Sequence, residues 1–188
     1  MTTDPLPPFR RIVTANSPDG RSRILSDGPS PHVLLVGPQR GLTELWATDG
    51  ATPLLEPEDG ADRPIRLEPP AGGMVFRYLQ LGPRSVAGVD PEVAERAAAA
   101  AFATMGGAHL RVDTRRHPSM HRSETLDCIV LLKGTVTLIL DDEETVLHPY
   151  DVVVQRATNH AWVNQSDEPA LLLCLLIDAG SAPAGTGA

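Results

Sequence analysis

The sequence predicts an all-β domain of the jelly-roll barrel type carrying one inserted helix. Three observations point there. Eighteen prolines and sixteen glycines are scattered through 188 residues that are 41% hydrophobic, so turns are frequent. Between those turns lie ten to twelve short runs with strand character rather than long helical stripes. Only one segment has the start and stop signals of a helix. The length suits one domain with a substantial core.

Residues 1–9 read as an extended arm. Arg10 to Ala15 and Arg21 to Ser26 are short strands around residues 16–20, a turn of conformationally permissive residues. His32 to Val36 and Leu42 to Thr48 follow, separated by Gly37-Pro38 and Gly41. From Asp49 to Arg63 the composition turns to Pro, Gly, Asp and Glu without periodicity, which marks a surface loop. Met74 to Leu81 is the next strand. Asp90 supplies an N-cap, Pro91 sits at the first helical position and Glu92 puts an acid in the first turn; a helix is expected over 91–105, stopped by Gly106-Gly107. Its alanine-rich composition implies a packed side, against a barrel mouth or a second copy.

Further strands are expected at Cys128 to Leu132, Thr135 to Leu140, Thr145 to Leu147, Asp151 to Gln155, His160 to Asn164 and Ala170 to Ile177. The last is apolar almost throughout, which suggests both faces are covered. The acidic cluster at 141–144 reads as a solvated hairpin tip, and residues 179–188 as a disordered tail. Cys128 and Cys174 lie inside apolar strands, as reduced buried thiols do.

A formal net charge of −8 argues against nucleic acid or anionic lipid as a partner. No leader pattern precedes the first strand and no apolar run reaches about 18 residues, so a cytoplasmic protein off the membrane is expected.

Chemistry concentrates at residues 117–127 and 155–164. In an extended chain, His117, Ser119, His121, Ser123, Thr125 and Asp127 share one face, although Pro118 interrupts pairing. On the second segment Arg156, Thr158, His160, Trp162 and Asn164 share a parity. A barrel that joins the two strands places His121, Asp127 and His160 around one point. Two imidazoles and a carboxylate suit a divalent ion with open positions, Fe(II) or Zn(II) among them. Arg77 and Tyr78 have opposite parity, so one of them faces inward, and an inward Arg77 favours a carboxylate or phenolate substrate. Glu124 pairs with Arg122 or Arg115, or lines the pocket as an acid/base group. His117 is a further pocket candidate, and Trp162 lines the pocket or fills the core.

The spacing resembles the cupin superfamily. That family's first motif is a histidine, one residue, a second histidine, three or four residues, a glutamate, six residues and a glycine. His121, Asp127 and Gly134 fall on the first histidine, the glutamate and the glycine, while Ser123 stands where the second histidine belongs. The second motif ends in a histidine, three residues and an asparagine, which His160 and Asn164 match; its earlier Gly, Pro and Gly fall on Tyr150, Gln155 and Ala157. Residues 120–127 and 151–162, with 19–22 and 42–46, are similar to a subgroup of small single-domain cupins, so the resemblance spans most of residues 10–178.

The resemblance implies a double-stranded β-helix with its conserved barrel core at about 73–178 and extra strands before it, and a homodimer. It implies a small-molecule enzyme, an oxygenase among the options, with one divalent metal ion (Fe, Mn, Ni or Zn) on His121, Asp127 and His160. Ser123, Trp162, Arg77, Glu124 and His117 would line the pocket. The missing histidine at Ser123 leaves a second reading: a metal-free or metal-degenerate cupin that binds a small ligand or acts as an isomerase or cyclase. Neither reading assigns a catalytic residue.

Overall fold

The structure is a computed structural model that describes residues 6–16, 18, 21–49, 59–84 and 90–180. The first five residues of the arm, most of the 49–63 loop and the tail beyond Gly180 lie outside the described residues, as does part of the turn at 16–20. Eleven strands and one α-helix are described. They are β1 (Arg10–Asn16), β2 (Ser22–Pro29), β3 (Val33–Gly37), β4 (Arg40–Thr48), β5 (Met74–Leu81), α1 (Pro91–Thr104), β6 (Thr125–Lys133), β7 (Val136–Leu140), β8 (Glu144–Leu147), β9 (Val152–Arg156), β10 (His160–Asn164) and β11 (Ala170–Asp178).

The strands form a β1–β2 hairpin, a three-stranded sheet in the order β10-β7-β8, and a six-stranded sheet in the order β3-β4-β5-β11-β6-β9. All pairings between strands are antiparallel. The two larger sheets face each other across one core of Leu81, Ile129, Leu131, Val136, Leu138, Leu147, Trp162, Ala170, Leu172, Cys174 and Leu176. This is the all-β barrel with one inserted helix that the sequence predicts.

Strand parity explains who enters that core. Along β11, Ala170, Leu172, Cys174 and Leu176 are buried and Leu171, Leu173 and Leu175 only half-buried. The continuous apolar run therefore covers one face fully and the other in part, unlike the two covered faces expected. β6 begins at Thr125, three residues before its apolar run, because Thr125 and Asp127 are buried polar residues on its inward face. At the β6–β7 turn Gly134 has φ +91°, and a Cβ there would come 2.8 Å from Ala170 Cβ. Only glycine meets both demands.

The helix begins where the caps predict. Asp90 Oδ1 accepts from Glu92 N at 2.8 Å, and Gly106, at φ +69°, ends it, one residue after Met105. Its buried side is Ala98, Ala101 and Phe102; Phe102 and Met105 cluster with Leu42 and with half-buried Leu34, Val36, Ile65, Leu67 and Leu79. The helix thus covers the barrel mouth. Arg111 fixes it there, bonding Glu95 Oε1 at 2.7 Å and Pro118 O at 2.8 Å with its guanidinium 5.9 Å from the Phe102 ring centre. Among the described residues no helix is long and apolar enough to cross a membrane.

Candidate active site

His121 lies just before β6, and it is joined to β10 by an isolated bridge to His160. His121 N donates to His160 O and His160 N to His121 O, both at 2.9 Å. Residues that exchange both bonds stand directly opposite with side chains on the same side. The two imidazoles are therefore neighbours, with ring centres 4.3 Å apart. Phe102 of α1 meets His121 edge-on at 4.8 Å, and Trp162 meets His160 edge-on at 5.4 Å.

Each ring is oriented by its own chain. Nδ1 of His121 lies 3.0 Å from Ser119 O and Nδ1 of His160 lies 2.9 Å from Thr158 O, each a carbonyl two residues back. A carbonyl only accepts, so Nδ1 carries the proton and Nε2 keeps its lone pair. Burial holds both rings neutral. It pushes His121 down to about 3, with the adjacent His160 and then Arg40 adding to the effect, and it lowers His160 as well.

The rings face a cavity of about 80 Å³ between the sheets. Leu42, Leu79, Leu81, Ile129, Leu176 and Trp162 make its walls largely apolar, and Phe102 and Met105 close it. At the floor, register builds a polar row across the six-stranded sheet: Glu44 on β4 pairs with Arg77 on β5, which pairs with Cys174 on β11. Arg77 does face inward, 1% exposed, while Tyr78 points away and packs on Phe9 with ring centres 4.4 Å apart. Its Nη2 is 2.6 Å from Glu44 Oε1, and among the described residues Arg77 Nε and Glu44 Oε2 have no hydrogen-bond partner. Burial outweighs attraction in this pair: Glu44 is pushed up to about 7 and Arg77 is lowered. Burial likewise lifts the Cys174 thiol to about 12, which makes it an inert part of the floor.

Asp127, 5% exposed, lines the same floor, and burial raises it to about 6 against the Thr125 hydroxyl and Arg77. Among the described residues its Oδ1 has no hydrogen-bond partner. Ser123 is buried and its hydroxyl is engaged by Thr125 Oγ1 at 2.7 Å. Among the described residues no three His, Cys, Asp or Glu side chains are placed to hold a metal ion. His121 and His160 are together as the sequence implies, but Asp127 does not complete a three-ligand group. Its short side chain remains at the floor, in the field of Arg77.

Of the other pocket candidates, Ser123, Trp162 and Arg77 line the cavity and two do not. Glu124 has the opposite strand parity; it is exposed and bonds Arg122 at 3.0 Å. His117 turns away after Pro118 interrupts the strand, and its Nδ1 accepts from Ser119 N at 3.1 Å. Asn164 ties down the loop after β10, donating to Gly82 O at 2.9 Å and Glu168 O at 2.7 Å.

Arg40 and Phe102 line the cavity and Glu44 pairs with its Arg77, and sequence reasoning does not single out any of the three. For Glu44 a signal existed, since an acid inside the apolar run 42–46 needs a buried partner. Arg40 sits between a turn and a strand, where nothing distinguishes it from a surface arginine.

The sequence model of the family described as “Cupin domain” matches residues 108–176. “Cupin-domain-containing oxidoreductase fogC” of Aspergillus ruber is 38% identical over 176 residues, 89% of this chain and 71% of that protein. “Cupin-domain-containing oxidoreductase srdD” of Neurospora crassa is 25% identical over 185 residues, 93% of this chain and 79% of that protein. “Phomopsin biosynthesis cluster protein C'” of Diaporthe leptostromiformis is 48% identical over 65 residues, and the match spans 34% of that protein's length.

Proposed function

Because this chain belongs to the cupin superfamily, we propose that it is a small-molecule enzyme of the oxidoreductase type whose reacting group sits beside His121 and His160. The observation that carries this reading is the pair of neutral imidazoles, each fixed through Nδ1, beside a largely apolar cavity. The description of the 38% identical relative as an oxidoreductase supports the reaction class.

The chain's own part is to hold an apolar body between Leu79, Phe102 and Trp162, exclude water and accept a proton on Nε2. A ring whose pKa is held at about 3 is a weak base at rest. An anion forming about 4 Å away attracts the imidazolium by about 4 kcal/mol at a protein-like dielectric. That equals about three pKa units and returns His121 to the ordinary histidine range. The site is then basic only toward a proton whose departure leaves negative charge beside it.

A three-ligand metal centre is not supported by a donor set that stops at two imidazoles, so the proton steps are assigned to the side chains and none to a metal. Two measurements test the reading. A ligand carried through purification is identified by mass spectrometry and returned to fresh protein with dioxygen as the electron acceptor. A product that is two hydrogens lighter or oxygenated supports the oxidoreductase reading, and its return unchanged sinks it. Elemental analysis of untagged protein after exposure to Fe(II), Mn(II), Ni(II) and Zn(II) is expected to find well under one equivalent. A full equivalent that disappears in His121→Ala and His160→Ala would overturn the metal-free assignment.

A further inference from the structure

The cavity contains a positive charge with nothing to answer it. Arg40 opens β4 and shares inward parity with Leu42 and Glu44, so its side chain lines the cavity near His121 instead of pointing to solvent. Among the described residues its guanidinium has no ion pair and no hydrogen bond, and burial alone lowers its pKa. His117 and His121 both feel it, and it makes each less basic. The other inward arginine is different. Arg77 is paired with Glu44 and stands near Asp127, so the floor carries its own compensation and Arg40 does not.

Arg40 is also held in place. Gln80 Nε2 donates to Gln39 O at 2.8 Å and so ties the β3–β4 turn to β5. Gly82 closes on the same turn, and a Cβ on it would come 2.8 Å from Pro38 O. No Arg40 nitrogen is sealed from the cavity or from water, so the half-buried guanidinium is open to an incoming anion, with which it can form charge-assisted hydrogen bonds.

We propose that the cavity takes a small organic anion, a carboxylate or phenolate on an apolar planar body, with its charge on Arg40 and its body beside His121, Phe102 and Trp162. The inference rests on reading this cavity as the substrate site. The position of Arg40 further implies that the anionic group binds at the helix-covered end and not on the polar floor.

Titration calorimetry with benzoate and benzamide, near-isosteres that differ in charge, tests this on the full-length protein. Benzoate is expected to bind about tenfold or more tighter than benzamide. Arg40→Gln should remove that preference and leave benzamide within about twofold, and Arg40→Lys should keep part of it. Thermal melts establish that each variant is folded, with Arg40→Lys as the gentler change should Arg40→Gln not fold. Benzoate binding that is unaltered in either folded variant would overturn the assignment. Benzamide binding as tightly as benzoate, and weakened by His121→Phe, would also overturn it while leaving the cavity reading in place. Failure of both probes to bind overturns the two together.

Discussion

The Arg77–Glu44 pair allows a quantitative test of how the barrel floor is held. Both side chains are almost fully enclosed, 2% and 3% exposed, with Nη2 and Oε1 2.6 Å apart. Glu44→Leu leaves Arg77 with only the more distant Asp127 as compensation, and breaking a buried pair this way costs about 3–5 kcal/mol. In a chain of this length each kcal/mol moves Tm by roughly 2–4 °C, so a fall of roughly 6–20 °C is expected. Arg77→Met leaves Glu44, which can protonate, so its cost is closer to the roughly 1–3 kcal/mol of an unsatisfied neutral group. The double variant places two apolar side chains of similar volume opposite each other and should lie within about 1 kcal/mol of the parent. Urea and thermal unfolding of all four proteins gives the coupling energy, expected above about 2 kcal/mol. The parent should also lose stability as pH rises. Glu44 is raised from 4.5 to about 7, so the stability of its protonated form is complete below 4.5 and lost toward 7, a ceiling of about 3 kcal/mol absent from Glu44→Leu. Additive losses in the double variant would refute the account of the pair as one buried unit.

Other outcomes follow from the same geometry. His121 is depressed from 6.5 to about 3, so the parent loses stability as pH falls through that window. At pH 5 His121→Phe should escape about 2 kcal/mol of that loss, read as the change in urea midpoint between pH 7.5 and pH 5. Gly134→Ala combines φ +91° with a 2.8 Å approach to Ala170 and should cost at least about 2 kcal/mol in equilibrium unfolding. Ser123→His adds a third imidazole to the cavity that His121 and His160 face. It should retain about one equivalent of Zn(II) or Ni(II) through dialysis, and lose it again when combined with His160→Ala.

Much of the architecture is written locally. Turn residues, period-two apolar runs and the Asp90-Pro91 cap act over a few positions, and β5, β10 and α1 appear within a residue of where those signals put them. The two histidines were legible because parity and motif spacing both select them. What was hidden depends on sheet order. Glu44 and Arg77 lie on neighbouring strands separated by a long loop, and only the β4–β5 register makes them a pair. The start of β6 was hidden for another reason: a buried polar residue that faces a cavity looks, in sequence, like a loop residue. Arg40 was hidden because an unpaired charge becomes informative only when the groups that could answer it have been located.

The reciprocal bond between His121 and His160 has a mechanical consequence. These two residues form the bridge between the loop leading into β6 and the edge of the smaller sheet, so the distance between the rings is set by the seam of the barrel and not by side-chain packing. Loosening the lid helix would open the cavity yet leave the rings together. Parting the rings means unzipping the seam itself. The centre is thus as durable as the wall it is stitched into, and breathing at the mouth does not blur it.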